Sequence, residues 1–478
     1  MFGPANLLTN WPGSFLNRGI FLAAHVFLQK FVFALFLKQA KILTEVYLML
    51  KKFIALSFLI VVISGLAGCQ PSSSALDNSF SDTAEKSEPP LSEIHFFGTL
   101  ASGNGDGAKT KNGFFYIEPQ SSSYANIQYI DFSSKKKVPV CSNPACTHDN
   151  ETCSSYLEWS GGYPYIAANS SKIIFTSANA GPANEMIYHE KALPHIQIAD
   201  LSGANRKTLL SLSANEDIQI GTACNEEYLY LIKKGVEGNS SVMDFCKVSL
   251  SDGALQTICR LPDGNSFILG AEDQYIVVVC YSPATNGNLY SPDQVSTFMC
   301  FDMTTETCIS QKELPLNVLD HPPQNFVRGT TLYSFSPRDN TLSVYNLKNN
   351  ETLRSISPIF DKEVTMGQID AVFDDNILFS EIFAGSEEDA AYIRYDLSSE
   401  KQTPFTLLAE YGENTGRFFP VVPSCSLTNE YLVVYQCDSS DALLADTASN
   451  AVGFVKPEFA FISKEAYWSG IPEYQELE

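Results

Sequence analysis

The sequence predicts an all-β fold, a single β-propeller of seven blades, with six and eight blades as the alternatives. Three observations point there. From about residue 93 to the end, apolar residues fall in short alternating runs separated by turn residues, and helix periodicity is scarce. Two strand-like elements recur seven times in the same order. The recurrences lie 44 to 69 residues apart, the range in which about four strands make a small sheet that buries both faces only by stacking on its neighbours.

The first recurring element is a run of aromatic and β-branched residues: GFFYIEP at 113, SKIIFTS at 171, EYLYLIK at 227, QYIVVVCY at 274, TTLYSFS at 330, NILFSEIF at 376 and EYLVVYQC at 430. The second is a strand running into a polar turn: IQYIDFSS, IQIADLSG, FCKVSLSD, FMCFDMTT, LSVYNLKN, YIRYDLSS and FAFISKEA. Its turn-proximal apolar residue is Phe132, Leu201, Leu250, Met303, Leu347, Leu397 and Ile462 in turn. Asp252-Gly253 and Asn349-Asn350 suit two-residue hairpin turns with positive φ. With Asp252 and Gly253 as the whole loop, Cys246 would face Cys259 across the hairpin. The last repeat lacks a clear fourth strand, whereas IHFFGTL at 94 lacks a local partner, so the N-terminal strand is expected to complete the C-terminal blade and remove both loose edges.

Composition supports a folded chain and narrows its partners. Of 478 residues, 45% are apolar and 12% aromatic, enough for a sizeable core. The net charge is -23, and the first 68 residues hold six Lys or Arg against one acid, which leaves -28 from Cys69 onward. So acidic a surface repels phosphate backbones, and nucleic acid is excluded as a partner. The run Lys135, Lys136, Lys137 goes the other way and reads as a solvated hairpin tip.

The N-terminal text has a different character. From Met49 it reads MLKKFIALSFLIVVISGLAGCQ: Lys51 and Lys52 form a charged n-region, Phe53 to Ser64 a short apolar h-region, and Leu66-Ala67-Gly68-Cys69 places small residues before a cysteine. This resembles the bacterial lipobox. The resemblance implies that residues 49–68 are a lipoprotein signal peptide, that Cys69 is diacylated, and that Cys69 becomes the mature N-terminus. Residues 69–92, rich in Ser, Pro and acids, read as a disordered tether. Residues 1–48 do not fit this scheme, because their apolar stretch is broken by Arg18, His25 and Lys30, and translation is expected to begin at Met49. Residues 93–478 are then the propeller, outside the cell and held to the membrane by a diacylglyceryl anchor.

Twelve cysteines are present, eleven once Cys69 is set aside. Cys246, Cys280, Cys300 and Cys437 lie within strand runs, where a thiol behaves as a small apolar side chain. The exception is CSNPACTHDNETC, in which Cys141, Cys146, His148 and Cys153 place four soft ligands within thirteen residues of loop. Three thiolates and one imidazole suit a tetrahedral structural zinc, and disulfide bonding within the loop is the competing reading. The loop follows KKKVPVC, the end of the first blade, and precedes YPYIAA, the start of the second, so it is expected in the crossover near the channel face. At this point the chain resembles a family of secreted lipoproteins from Gram-positive, often anaerobic bacteria that share a lipobox, a polar tether, a CxxxxCTH-type loop and TolB-like propeller repeats. The resemblance implies location and fold and brings no established activity.

Catalytic signatures are missing from the text. HEKALPH has the wrong spacing for a helical zinc motif, and Pro194 would break the helix. GNGDG at 103 lacks the strand and helix that a phosphate loop needs, and there is no GxSxG elbow. Tyr156, Trp159, Tyr163 and Tyr165 read as packing between blades sooner than as a sugar platform, and His321 as a solvated loop residue. The expected function is a binding or scaffold module for a cell-envelope protein, glycan or peptide, with no catalytic residue assigned. A propeller-type hydrolase or lyase acting on extracellular polysaccharide or peptide is the alternative.

Overall fold

The computed structural model describes residues 93–97, 107–120, 124–158, 164–178, 192–238, 240–283, 294–316, 324–360, 366–382, 391–410, 418–445 and 452–478. The expectations for residues 1–92, Cys69 among them, and for Trp159, Tyr163, His189 and His321 lie outside the described residues. Glu88–Glu478 is one compact unit, and it is built from seven antiparallel sheets of four strands each, together with a few short additional strands.

Each of the seven GFFYIEP-type runs is the second strand of a blade, and each of the seven turn-bearing runs is the third. Gly113–Pro119 pairs Tyr124–Asp131 in blade 1, Lys172–Ser177 pairs His195–Asp200 in blade 2, and Tyr228–Glu237 pairs Ser240–Ser249 in blade 3. Blades 4 to 7 repeat this with Tyr275–Tyr281 and Val295–Asp302, Thr331–Ser336 and Thr341–Asn346, Asn376–Ile382 and Ala391–Asp396, and Glu430–Ala445 and Val452–Ser463. Burial explains the composition of the second strands. Gly113–Pro119 is buried at every position, because a blade on either side covers both faces. Outermost strands have no such cover: Glu351–Ile356 is exposed along nearly its whole length and Thr307–Pro315 alternates.

Six apolar clusters join the blades into a closed ring. One runs through blades 1, 2 and 3, and the others link 3 with 4, 4 with 5, 5 with 6, 6 with 7, and 7 with 1. The ring closes by packing, and the N-terminal strand plays no part in the closure. His95–Phe97 instead pairs Thr222–Cys224, the innermost strand of blade 3, and the Ile94 amide donates to the Asp273 carbonyl of blade 4. Blade 7 makes its own fourth strand: Ser463 caps a one-turn helix, Lys464–Trp468, after which Gln475–Glu476 returns to pair Ala460 and Phe461. A sequence scan misses so short a strand because two residues carry no periodicity.

The seam between blades 7 and 1 is where the lysine run acts. Phe459 packs on Tyr116 with ring centroids 4.6 Å apart and on Phe114 at 5.9 Å. Lys135 bonds Glu430 at 2.7 Å and lies 4.8 Å from the Phe461 ring centroid, and Lys137 bonds the buried Glu118 at 3.0 Å. Lys136 lies 3.5 Å from the Glu478 side chain, whose own amide donates to the Lys135 carbonyl. Lys135 is therefore a clasp at the seam, Lys137 pairs within blade 1, and Lys136 keeps the solvated position expected of the run.

The turns after the third strands are longer than two residues. In blade 3 the Gly253 amide donates to the Ser249 carbonyl and the Ser249 amide to the Ala254 carbonyl, so four residues make the loop. Only Gly253, φ +77, needs a left-handed backbone there; in blade 5 Asn350, φ +56, plays that part. The extra length lets the first loop residue turn inward, and Leu250, Met303, Leu347 and Leu397 are all buried. It also moves the register by two, and a bulge shifts it once more, so Cys246 faces Thr257 and Cys259 faces Phe245. Cys246, Cys280, Cys300 and Cys437 are buried, unbridged thiols within strands.

Candidate metal centre

Cys141, Cys146, His148 and Cys153 come together. Their ligand atoms all lie within 4.8 Å of one another, and His148 Nδ1 is 3.2 Å from Cys153 Sγ. A tetrahedral zinc with ordinary Zn–S and Zn–N bonds needs edges of about 3.5–3.8 Å, so the cage requires only a slight contraction to close on an ion. No disulfide joins these cysteines.

Local turn chemistry builds the cage. The loop contains Asn-x-x-Cys twice, at Asn143 and at Asn150. In each case the Cys amide donates back to the Asn carbonyl, Cys146 to Asn143 at 3.1 Å and Cys153 to Asn150 at 3.0 Å, while the Asn side chain accepts from an intervening amide. Two turns thus aim two sulfurs inward. His148 takes a left-handed backbone, φ +57, which turns its ring toward Cys153 at a strain of about 1–2 kcal/mol. Amides point at sulfur as they do around bound thiolates: His148 N to Cys146 Sγ at 3.4 Å and Ser155 N to Cys153 Sγ at 3.3 Å. The Asn143 amide holds Cys141 below the ordinary thiol range, whereas burial pushes Cys153 up to about 11.

The position of the loop differs from the expectation. The fourth strand of blade 1 is made in two pieces, Lys137–Pro139 and Tyr156–Glu158, both on the same edge of Tyr124–Asp131. The Val140 amide donates to the Ile127 carbonyl, and the Ile127 amide donates to the Ser155 carbonyl. Residues 141–154 therefore leave and rejoin an outermost strand at a single ladder position. The candidate centre sits at the rim of blade 1, where an insertion costs the ring nothing, and not in a crossover at the channel.

Blade 2 meets the loop there. Gly203, φ +72, approaches so closely that a Cβ would lie 2.5 Å from the Ser154 carbonyl oxygen. Arg206 Nη1 donates to the Tyr156 carbonyl at 2.5 Å and Nη2 to the Ser154 carbonyl, while the guanidinium lies 5.3 Å from the Phe175 ring centroid. Burial pulls Arg206 down to about 10. Sequence reasoning missed this residue, since nothing near position 206 marks it as a neighbour of Cys153.

A cavity of about 220 Å³ opens beside Arg206 between the two blades, with Tyr156, Phe175, Ser177, His195 and Gln197 in its wall. His195 Nδ1 lies 2.7 Å from the Leu193 carbonyl, which can only accept, so Nδ1 donates there. Tyr156 stacks on Tyr124 with centroids 5.2 Å apart, a contact within blade 1 and not between blades. On the inner strand of blade 6, burial raises Asp370 to about 7; its Oδ2 is sealed from solvent and has no hydrogen-bond partner. Among the described residues no helix is long and apolar enough to cross a membrane.

With strand order and site described, the chain belongs in fold to the β-propellers, seven-bladed and carrying a three-cysteine, one-histidine group able to hold a metal. No family model matches the sequence, and no curated protein matches it either. Solved structures similar to it include the β-propeller domain of the Trilobed protease from Pyrococcus furiosus, at 13% identity and TM-score 0.36, over 80% of this chain and 97% of that one. An acylaminoacyl peptidase from Pyrococcus horikoshii matches at 11% identity and TM-score 0.38, over 66% of this chain, which spans 46% of that protein's length. An oligogalacturonate lyase from Vibrio parahaemolyticus matches at 14% identity and TM-score 0.34, over 61% of this chain and 76% of that one. The activities in those names belong to those proteins.

Proposed function

We propose that the chain is a lipid-anchored, extracytoplasmic binding or scaffold module of the cell envelope, with Cys69 as its diacylated anchor and a structural zinc held by Cys141, Cys146, His148 and Cys153. The observation that carries the reading is the complete set of four ligands. All four corners of the tetrahedron are supplied by the chain itself, so a bound ion holds a rim loop in shape and has no open position for a substrate. The lipobox-like text before Cys69 supports the anchor. The cavity beside the loop, with Phe175, Ser177, His195 and Gln197 on one face of blade 2 and Tyr156 from blade 1, suits a sugar ring or a peptide side chain, and we assign it as the binding surface.

Three measurements on the full-length chain test this. Metal analysis under reducing conditions is expected to find about one zinc per chain, abolished in Cys146→Ser; zinc-free protein with its thiols reduced overturns the metal assignment. Labelled palmitate is expected to be incorporated by the wild type and not by Cys69→Ala, and equal membrane association of both overturns the anchor. Calorimetry against cell-wall glycan fragments and peptides is expected to show binding that Gln197→Ala, at a half-buried wall residue, removes. If new reducing ends or unsaturated products form during the same incubations, the hydrolase or lyase reading replaces the binding one.

A further inference from the structure

We infer that Arg206 of blade 2 supplies the counter-charge of the metal-loaded centre in blade 1, so that metal binding and the docking of the two blades form one linked equilibrium; the inference rests on the zinc reading above. Arginine keeps its charge throughout the physiological range, and a buried charge without a partner costs several kcal/mol. Arg206 comes near that position: it is partly buried, and its charge meets neutral groups only. Its Nε is closed off from solvent without a hydrogen-bond partner, its other nitrogens bond only to carbonyls, and among the described residues no carboxylate lies within ion-pair distance of it. The carbonyls are those of Ser154 and Tyr156. They bracket Ser155, whose amide donates to Cys153 Sγ, so the guanidinium lies directly behind one ligand of the cage.

The missing anion is the centre itself. Three thiolates and a neutral imidazole around a divalent ion sum to a charge of about -1, whereas the same side chains without metal, as thiols, carry none. Loading the cage therefore creates the negative charge that Arg206 lacks. The close approach of Gly203 to the Ser154 carbonyl keeps that charge pair together. Zinc then stabilises more than its own loop, because the attraction crosses from blade 1 to blade 2.

The test compares wild type, Arg206→Gln and Arg206→Lys as full-length chains. Zinc affinity is read by competition with a chromophoric chelator, and amide hydrogen exchange is followed with and without zinc. Arg206→Gln is expected to lower zinc affinity about 10- to 100-fold, as loss of a group supporting a metal ligand does, and Arg206→Lys to recover most of the loss. In the wild type, zinc is expected to slow exchange in Lys207–Ser211 of blade 2 as well as around Cys153, a readout that needs no variant to fold. Equal affinities for wild type and Arg206→Gln, equal losses in the Gln and Lys variants, or zinc protection confined to blade 1 would each overturn the assignment. A wild type that binds no zinc defeats the zinc reading itself, which is a different result.

Discussion

Replacing Phe459 with alanine tests how this ring is closed. Phe459 is 3% exposed and lies against Phe114 and Tyr116 of blade 1, so it belongs to the seam where the last blade meets the first. Removing a buried phenylalanine costs about 3–5 kcal/mol in lost transfer energy and residual cavity. For a unit of this size, with an unfolding entropy of about 2 cal/mol/K per residue, that is a fall in Tm of roughly 5 °C. Urea unfolding gives the free energy, and hydrogen exchange in Gly113–Pro119 reports whether the seam itself has loosened. Deletion of residues 93–98 is the matched control. It removes the strand His95–Phe97, which pairs blade 3, so the seam amides are expected to stay protected. A loss below about 1 kcal/mol for Phe459→Ala, or a seam that opens on deleting 93–98, would refute closure by packing.

Three further outcomes follow from named contacts. Lys137→Met leaves the Glu118 carboxylate, 3% exposed, without its cation, and is expected to cost about 3–5 kcal/mol in urea unfolding; adding Glu118→Gln should recover most of that, and an additive double variant would count against the pair. Asp370 is held near 7 when folded and near 4 when unfolded, so between those values the native state keeps a proton the unfolded state has lost. Its stabilising protonated form is complete below pH 4 and is lost as pH rises to 7, at a cost of up to about 4 kcal/mol above it; Asp370→Asn should therefore exceed wild type at pH 8 and match it near pH 4, and parallel stability profiles would refute this. Gly203→Ala brings both a left-handed backbone and a Cβ 2.5 Å from a carbonyl oxygen, and is expected to cost at least about 2 kcal/mol, against about 1 for Gly238→Ala, which has the same kind of φ and nothing within 4 Å; equal losses in thermal unfolding would mean the close contact is relieved at no cost.

Local text carried the repeat. Strand runs such as GFFYIEP and QYIVVVCY mark the second strand of every blade because burial on two faces demands apolar residues at consecutive positions, and that demand is written residue by residue. Turn lengths were less legible. Asp252-Gly253 looks like a complete two-residue turn, but Leu250 must reach a neighbouring blade, and the loop is widened to let it do so. The four candidate ligands were legible for the same reason as the strands: Asn-x-x-Cys turns are short-range devices, and both cysteines they aim lie within the loop.

The sequence by itself determined the all-β class, the seven repeats, the soft-ligand loop and the lipobox-like text, because each depends on residues a few positions apart. Tertiary structure alone decided where His95–Phe97 pairs, how the ring closes without it, that the loop sits at a rim, and that Arg206 stands behind Cys153. Those facts join residues from about 30 to more than 300 positions apart. Contacts at that range are set by how the blades pack around the ring, and a repeat that looks alike in every blade carries no mark of which neighbour its edges will meet.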